Sequence, residues 1–409
     1  KSCLFQTRFF YAEGAPLNSH IQPRFTMQAM KTAIAFFFCI LSLQATAFAE
    51  SLQVDLSGEI ELRGTYDTNV FLTTDDEDFE LREHPRDDTE QDDFHGNLKG
   101  NVNLDFNVTP YLNKSLRYYF DLERYSDLDN EHNEKHRLEF EPVIQLSRDV
   151  QLSFIGLVEG ENRRPNAEYR RPDYLEYQLG TALQWQAADN DQLTLSLRYE
   201  DRDYDSLTGT SFDDYDGTWV ELGLKHRFHR QVYTHHQLRY RWRDYDESTR
   251  DEFGIVLAGR DRSEDRLEIE NSLTWLPGKN TLLRFGHLYR NNQAPASFYD
   301  YELNRLIGIY VQRFPWEMQL QTYAHYQWRD YDDQLAQDII TNPITGDTSQ
   351  VFSDDERSDR QFFLLLNLTK RITSSVSCGL EFQHWNNESD DDSSEYASQR
   401  YSVFIRYRF

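Results

Sequence analysis

From residue 50 to its end the chain is written in period two. Apolar or aromatic side chains recur at every second position over runs of about ten to fifteen residues, and polar side chains hold the alternate positions, as strands with one dry and one wet face require. The last nine residues show this most plainly. Tyr401, Val403, Ile405, Tyr407 and Phe409 share one side and Ser402, Arg406 and Arg408 the other, with Phe404 the one apolar side chain in the polar set. About sixteen such runs can be marked, from 52–66 to 395–409, among them 231–244, 263–276, 316–329 and 356–368. The gaps alternate between short and long: His229-Arg230, 277–279 and Phe314-Pro315 are tight turns, whereas 67–94, 245–262 and 330–355 are long polar stretches.

Runs of this length cross a hydrocarbon layer at a tilt, and the connections leave no room for crossover helices, so sequential runs pair antiparallel. No apolar stretch long enough for a helical span follows residue 50, so any spanning falls to strands. The predicted fold class is all-β: a transmembrane antiparallel up-and-down β-barrel of about 16 strands (range about 14–18), with short periplasmic turns and long acidic extracellular loops. A soluble sandwich gives no reason for loop length to alternate. Composition agrees, because mean hydropathy is -0.78 and hydrophobic content 38%, yet Tyr 25 and Phe 27 are too many for a disordered chain.

One apolar stretch lies outside the alternation. Met30-Lys31 precedes a short apolar core that ends in small residues at Ala47 and Ala49, which predicts a secretory signal peptide over 30–49, cleaved after Ala49. Residues 1–29 then read as an over-extended start and 50–409 as a single barrel domain. Cys3 and Cys39 fall ahead of the cut, and Cys378 lies on an apolar stripe between Val376 and Leu380, so neither a disulfide nor a cysteine metal site is expected in the mature chain.

The alternation also assigns faces. In 231–244 it turns Leu238, Tyr240 and Trp242 toward lipid and Arg239, Arg241 and Arg243 inward; in 316–329 it turns Trp316, Tyr326 and Trp328 out and His325 and Arg329 in. The same count makes Arg117, Arg137, Arg198, Arg406 and Arg408 candidate lumen-lining cations, with Glu139, Glu141, Glu268 and Glu270 as acidic counterparts. A motif ends three upward strands, as Trp242 to Asp246, Trp328 to Asp332, and Arg202-Asp203-Tyr204-Asp205. Its tryptophans and tyrosines are expected in an aromatic girdle, with the charged residues meeting water or lipopolysaccharide phosphates beyond.

Asp75-Asp76-Glu77-Asp78, Asp87-Asp88, Asp92-Asp93 and Asp390-Asp391-Asp392 make the outer loops acidic, within a net charge of -27. They are expected to be solvated and to hold divalent cations only loosely, since none has the spacing of an EF-hand. No nucleophile elbow, zinc-protease motif, phosphate loop or dinucleotide fingerprint occurs, and His226, His235, His236 and His325 do not converge. No catalytic residue, metal site, cofactor or nucleic-acid partner is therefore expected.

With signal peptide, alternating loops and terminal Phe409 together, the mature chain resembles the Gram-negative outer-membrane β-barrel superfamily, and Gly64-Thr-Tyr66-Asp67-Thr-Asn69-Val70-Phe71 is similar to the opening of the β-barrel porin type 2 family. The resemblance implies an outer-membrane location and a terminal Phe409 read as an assembly signal by the barrel-assembly machinery; some members of that family are encoded near exopolysaccharide genes. Three functions stand as expectations. The first is a passive, porin-like channel for small polar or charged solutes. The second is an exopolysaccharide export barrel, with Arg239, Arg241, Arg243, Arg406 and Arg408 against an anionic chain, and the third a non-conducting structural or adhesive barrel.

Overall fold

The computed structural model describes residues 53–68, 92–109, 112–126, 132–163, 173–204, 214–250, 256–341, 348–391, 394 and 396–409. Their strands are β1 (Gln53–Asp67), β2 (Asp93–Thr109), β3 (Leu112–Tyr125), β4 (Asn133–Gln145), β5 (Val150–Arg163), β6 (Tyr174–Ala188), β7 (Asp191–Tyr204) and β8 (Tyr215–His229). They continue as β9 (Val232–Arg250), β10 (Val256–Gly278), β11 (Thr281–Gln293), β12 (Tyr301–Phe314), β13 (Met318–Thr341), β14 (Thr348–Arg371), β15 (Val376–Ser389) and β16 (Tyr396–Arg408). Each strand pairs antiparallel with the next, and β1 pairs with β16 to close the ring. The proposed signal segment 30–49 and most of the acidic stretch 67–94 lie outside the described residues.

Burial is inverted relative to a water-soluble protein. Leu62 and Leu179 are 59% and 65% exposed, while Glu61 and Glu200 are 3% and 2% exposed. In water such a wall would forgo roughly 1.5–3 kcal/mol for each large apolar side chain left uncovered. In hydrocarbon the same face is at home, and a closed ring leaves no sheet edge to satisfy. Among the described residues no helix is long and apolar enough to cross a membrane, so the strands do the spanning.

Two hairpins outrun the sequence reading. The segments 245–262 and 330–355 are not plain loops: β9 and β10 continue through much of the first, and β13 and β14 run 24 residues each through much of the second. Pairs such as Gln337↔Phe352 and Ile339↔Gln350 carry the ladder far past the apolar wall, after register shifts between Asp330, Leu335 and Gln337. A strand needs about ten residues to cross the hydrocarbon. Beyond it no lipid demands an apolar outer face, so the apolar period vanishes while the backbone pairing persists.

The first and last strands meet at the β1–β16 seam. Phe409 and Gly58 exchange backbone hydrogen bonds of 3.1 Å each way. On the inner face of the seam, Arg400 Nε donates to Asp67 (2.6 Å), Arg406 Nε to Glu61 (3.0 Å) and Arg408 Nε to Glu59 (2.6 Å). At the opposite end from the long hairpins, the turn between β12 and β13 holds Trp316 and Glu317 at φ 63 and 62, a left-handed pair that Arg371 Nε steadies by donating to Glu317 (2.7 Å).

Candidate functional site

The inner wall is the candidate site, and strand parity decides what reaches it. Register rows place Arg117 beside Glu139, Glu221 beside Arg239, and Arg239 beside Glu268, so the predicted cations and carboxylates do meet. Arg239 donates to Glu221 (2.9 Å) and to Glu268 (2.8 Å), and Glu268 also accepts from Arg290 (2.9 Å). Arg243 Nε donates to Glu200 (3.0 Å), and Arg241 Nε stands 3.7 Å from the same carboxylate. Arg406 and Arg408 are neutralised by Glu59 and Glu61 at the seam, which leaves them little charge for a passing polymer.

The pairs have a common direction. The inward ion pairs Arg117–Glu139, Arg202–Glu176 and Arg239–Glu268 join neighbouring strands, and Arg243–Glu200 and Arg63–Glu381 join strands two apart. Charge is therefore satisfied along the wall. Besides Arg408 at the end of β16, the cations of β2–β4 are water-accessible, with the side chains of Lys99, Arg117, Lys135 and Arg137 exposed by 36%, 42%, 40% and 42%. Arg137 pairs with Glu139 and lies 3.6 Å from Glu159, while Glu141 and Glu270 make no ion pair among the described residues.

The tyrosines of the repeated rim motif are not in the girdle. Tyr204, Tyr245 and Tyr331 are buried at 5%, 5% and 2% exposure, each on the inward side of its strand. Trp242, by contrast, points outward as expected and is 38% exposed. Parity is the reason and could have revealed it: Arg243 and Tyr245 stand two apart and share a face, as do Arg202 and Tyr204, and Arg329 and Tyr331. The inward tyrosines stack with arginines. Arg243 lies 4.2 Å from the Tyr215 ring centroid, Arg329 4.9 Å from that of Tyr301, and Arg262 3.9 Å from both Tyr245 and Tyr299. Tyr299 belongs to a short 3-10 turn, Ser297–Tyr299, so the β11–β12 connection folds against the inner wall.

Two aspartates staple the rim. Asp214 accepts the Tyr204 backbone N–H (2.6 Å) while its own carbonyl accepts that of Asp246 (2.9 Å). Asp300 repeats the arrangement with Ala294 (2.5 Å) and Asp332 (3.1 Å). Partial burial pushes both carboxyls up to about 6 despite those hydrogen bonds, and neighbouring acidic residues add to the rise.

Sequence reasoning also missed an apolar sector. Ile307 pairs with His325, His325 with Phe363, and Phe363 with Trp385, all on the lumen side. Phe363 and Trp385 stack at 4.6 Å, and Arg400 lies 4.9 Å from the Trp385 centroid. Where both faces of a strand carry apolar residues, alternation alone gives no direction. No group of three or more metal-ligating side chains occurs among the described residues.

Apolar outside, charged inside and closed without an edge, the molecule is a transmembrane β-barrel of the outer-membrane kind. No family model and no curated protein sequence matches the chain, so the family suggested by residues 64–71 rests on that stretch alone. Solved structures similar to it include a loop-deleted form of the outer membrane protein OmpT of Vibrio cholerae, at 9% identity and TM-score 0.47, covering 88% of this chain and 100% of that one. OccAB1 of Acinetobacter baumannii is 9% identical with TM-score 0.47, covering 87% and 96%. The siderophore receptor PirA of Pseudomonas aeruginosa is 8% identical with TM-score 0.41, covering 87% and 80%. None of these likenesses bears on what the lumen carries.

Proposed function

We propose that the chain is a passive outer-membrane channel for small polar or charged solutes. The observation that carries this reading is the direction of the ion pairs of Arg63, Arg239 and Arg243, which run along the wall to the same strand, a neighbouring strand or one two strands away. A barrel of about sixteen strands is wide enough for water once its charges are satisfied at the wall. Accessible Lys99, Arg117, Lys135 and Arg137, beside carboxylates such as Glu139 and Glu159, give such a lumen a polar lining that discriminates by charge. Export through cleavage after Ala49, insertion by the assembly machinery through Phe409, lipopolysaccharide contact and loose divalent cation binding at the acidic loops belong to the same reading. No catalytic role is proposed. Planar-bilayer recording of the refolded barrel tests it: stepwise conductance is expected, and a silent bilayer with the barrel correctly inserted overturns it.

An exopolysaccharide export barrel is the second reading. Its support is the inward aromatic sector of Tyr323, Phe363 and Trp385, since flat apolar rings suit sugar faces. Lasting block of the conductance by a soluble polysaccharide, but not by its monosaccharides, would favour it.

A further inference from the structure

One row across the middle of the wall holds donors that nothing answers. Gly180 on β6, Arg198 on β7, Trp219 on β8 and Arg241 on β9 are successive register partners. The guanidinium groups of Arg198 and Arg239 each lie 4.6 Å from the Trp219 ring centroid, so two cations share one ring. Arg239 is balanced by Glu221 and Glu268. Arg241 has only the 3.7 Å approach of Glu200, a carboxylate already engaged by Arg243. Arg198 makes no ion pair among the described residues.

Nε of Arg198, Nε1 of Trp219 and Nε of Arg241 are buried and lack any hydrogen-bond partner. One such donor is unremarkable, but three on adjacent strands at one level are not, because a buried unsatisfied donor costs about 1–3 kcal/mol, and more when charged. Water could answer the N–H groups one at a time; a single anion with several acceptor oxygens could answer them together. Gly180 is what admits the Arg198 stem. A Cβ there would stand 2.7 Å from Arg198 Cγ and 2.9 Å from the Leu197 carbonyl, so only glycine lets the arginine stem lie across β6.

We infer that Arg198, Trp219 and Arg241 form an anion-binding station on the lumen wall, which takes the carboxylate or phosphate group of a solute in transit. The inference rests on the channel reading for access to the lumen. Arg198 and Arg241 supply charge-assisted donors, and the Trp219 ring supplies a flat surface for the apolar part of the same solute. Within a chain of net charge -27, an anion lingers only where open guanidinium donors meet it directly.

Tryptophan emission of the refolded barrel in detergent, titrated separately with inorganic phosphate and with succinate, tests the station without requiring conduction. A saturable change with at least one probe is expected, and the stronger of the two identifies the preferred headgroup. The change should be absent in W219F and weakened at least about ten-fold in R198Q, with R198K, which keeps the charge, intermediate. A titration with no saturable change, or one that R198Q leaves unaltered while R198K also binds normally, overturns the station. Saturable, Arg198-dependent binding with a silent bilayer overturns the channel and keeps the station.

Discussion

Phe404 lies across Gly379 on the inner face of the wall, and a Cβ built on Gly379 would overlap the ring. The ring also carries Arg63 at 5.2 Å and Arg406 at 5.0 Å from its centroid, so one apolar side chain organises two cations beside the seam. The same Cβ would stand 2.7 Å from the Leu368 carbonyl, which cannot swing away. G379A should therefore cost about 1–3 kcal/mol of stability by overpacking. Urea unfolding in lipid vesicles measures it, and F404L in the G379A background should recover part of the loss, since only the backbone clash then remains.

The rim staples predict a pH dependence. Asp214 and Asp300 carry folded-state pKa values of about 6, above the ordinary carboxylate value of 3.8, because burial disfavours the charge. The folded state then binds more protons than the unfolded state between about pH 4 and 6, and stability from these two groups is present below that window and lost as pH rises through it. Hydrogen-exchange protection at Tyr204 and Ala294, taken relative to the intrinsic exchange rate at each pH, should be greater at pH 5 than at pH 7.5. D214N and D300N should remove that difference at their own hairpins.

Arg262 sits between the rings of Tyr245 and Tyr299 and donates from Nε to Glu264 (2.8 Å). R262A should release the Ser297–Tyr299 turn from the wall, a loss of roughly 2 kcal/mol for a desolvated cation between two rings. Faster proteolysis within residues 294–300 and a larger single-channel conductance are the expected readouts.

Arg117 and Arg137 are accessible and loosely held, so reversing their charge should cost at most about 1 kcal/mol of stability. The double variant R117E/R137E should move the reversal potential in a salt gradient toward cations. An unmoved potential would show that ions do not pass this sector.

The alternation reported most of the wall because lipid imposes it: Leu62, Tyr401 and Ile405 must be apolar, and their neighbours Glu61 and Arg406 must not. It lost its grip where that constraint ends. Ile339 and Gln350 pair above the membrane with no apolar period to announce the strand, and inward Ile307 and Phe363 break the period within it. Tyr245 and Tyr331 were legible from the parity of Arg243 and Arg329, but aromatic residues at a rim fit a girdle so readily that composition masked position. The unanswered donors of Arg198, Trp219 and Arg241 were out of reach, since parity says which residues look inward and not which of them already have partners.

The fastening of β1 to β16 has a mechanical consequence. The β1–β16 ladder is the shortest in the ring, running only from Glu59↔Arg408 to Asp67↔Arg400, and Arg400–Asp67, Arg406–Glu61, Arg408–Glu59 and the Phe409–Gly58 exchange add charge and end-on hydrogen bonds where the backbone offers fewest partners. If the hoop is ever to open toward the bilayer, this is the stave that gives first, and those ion pairs are its rivets.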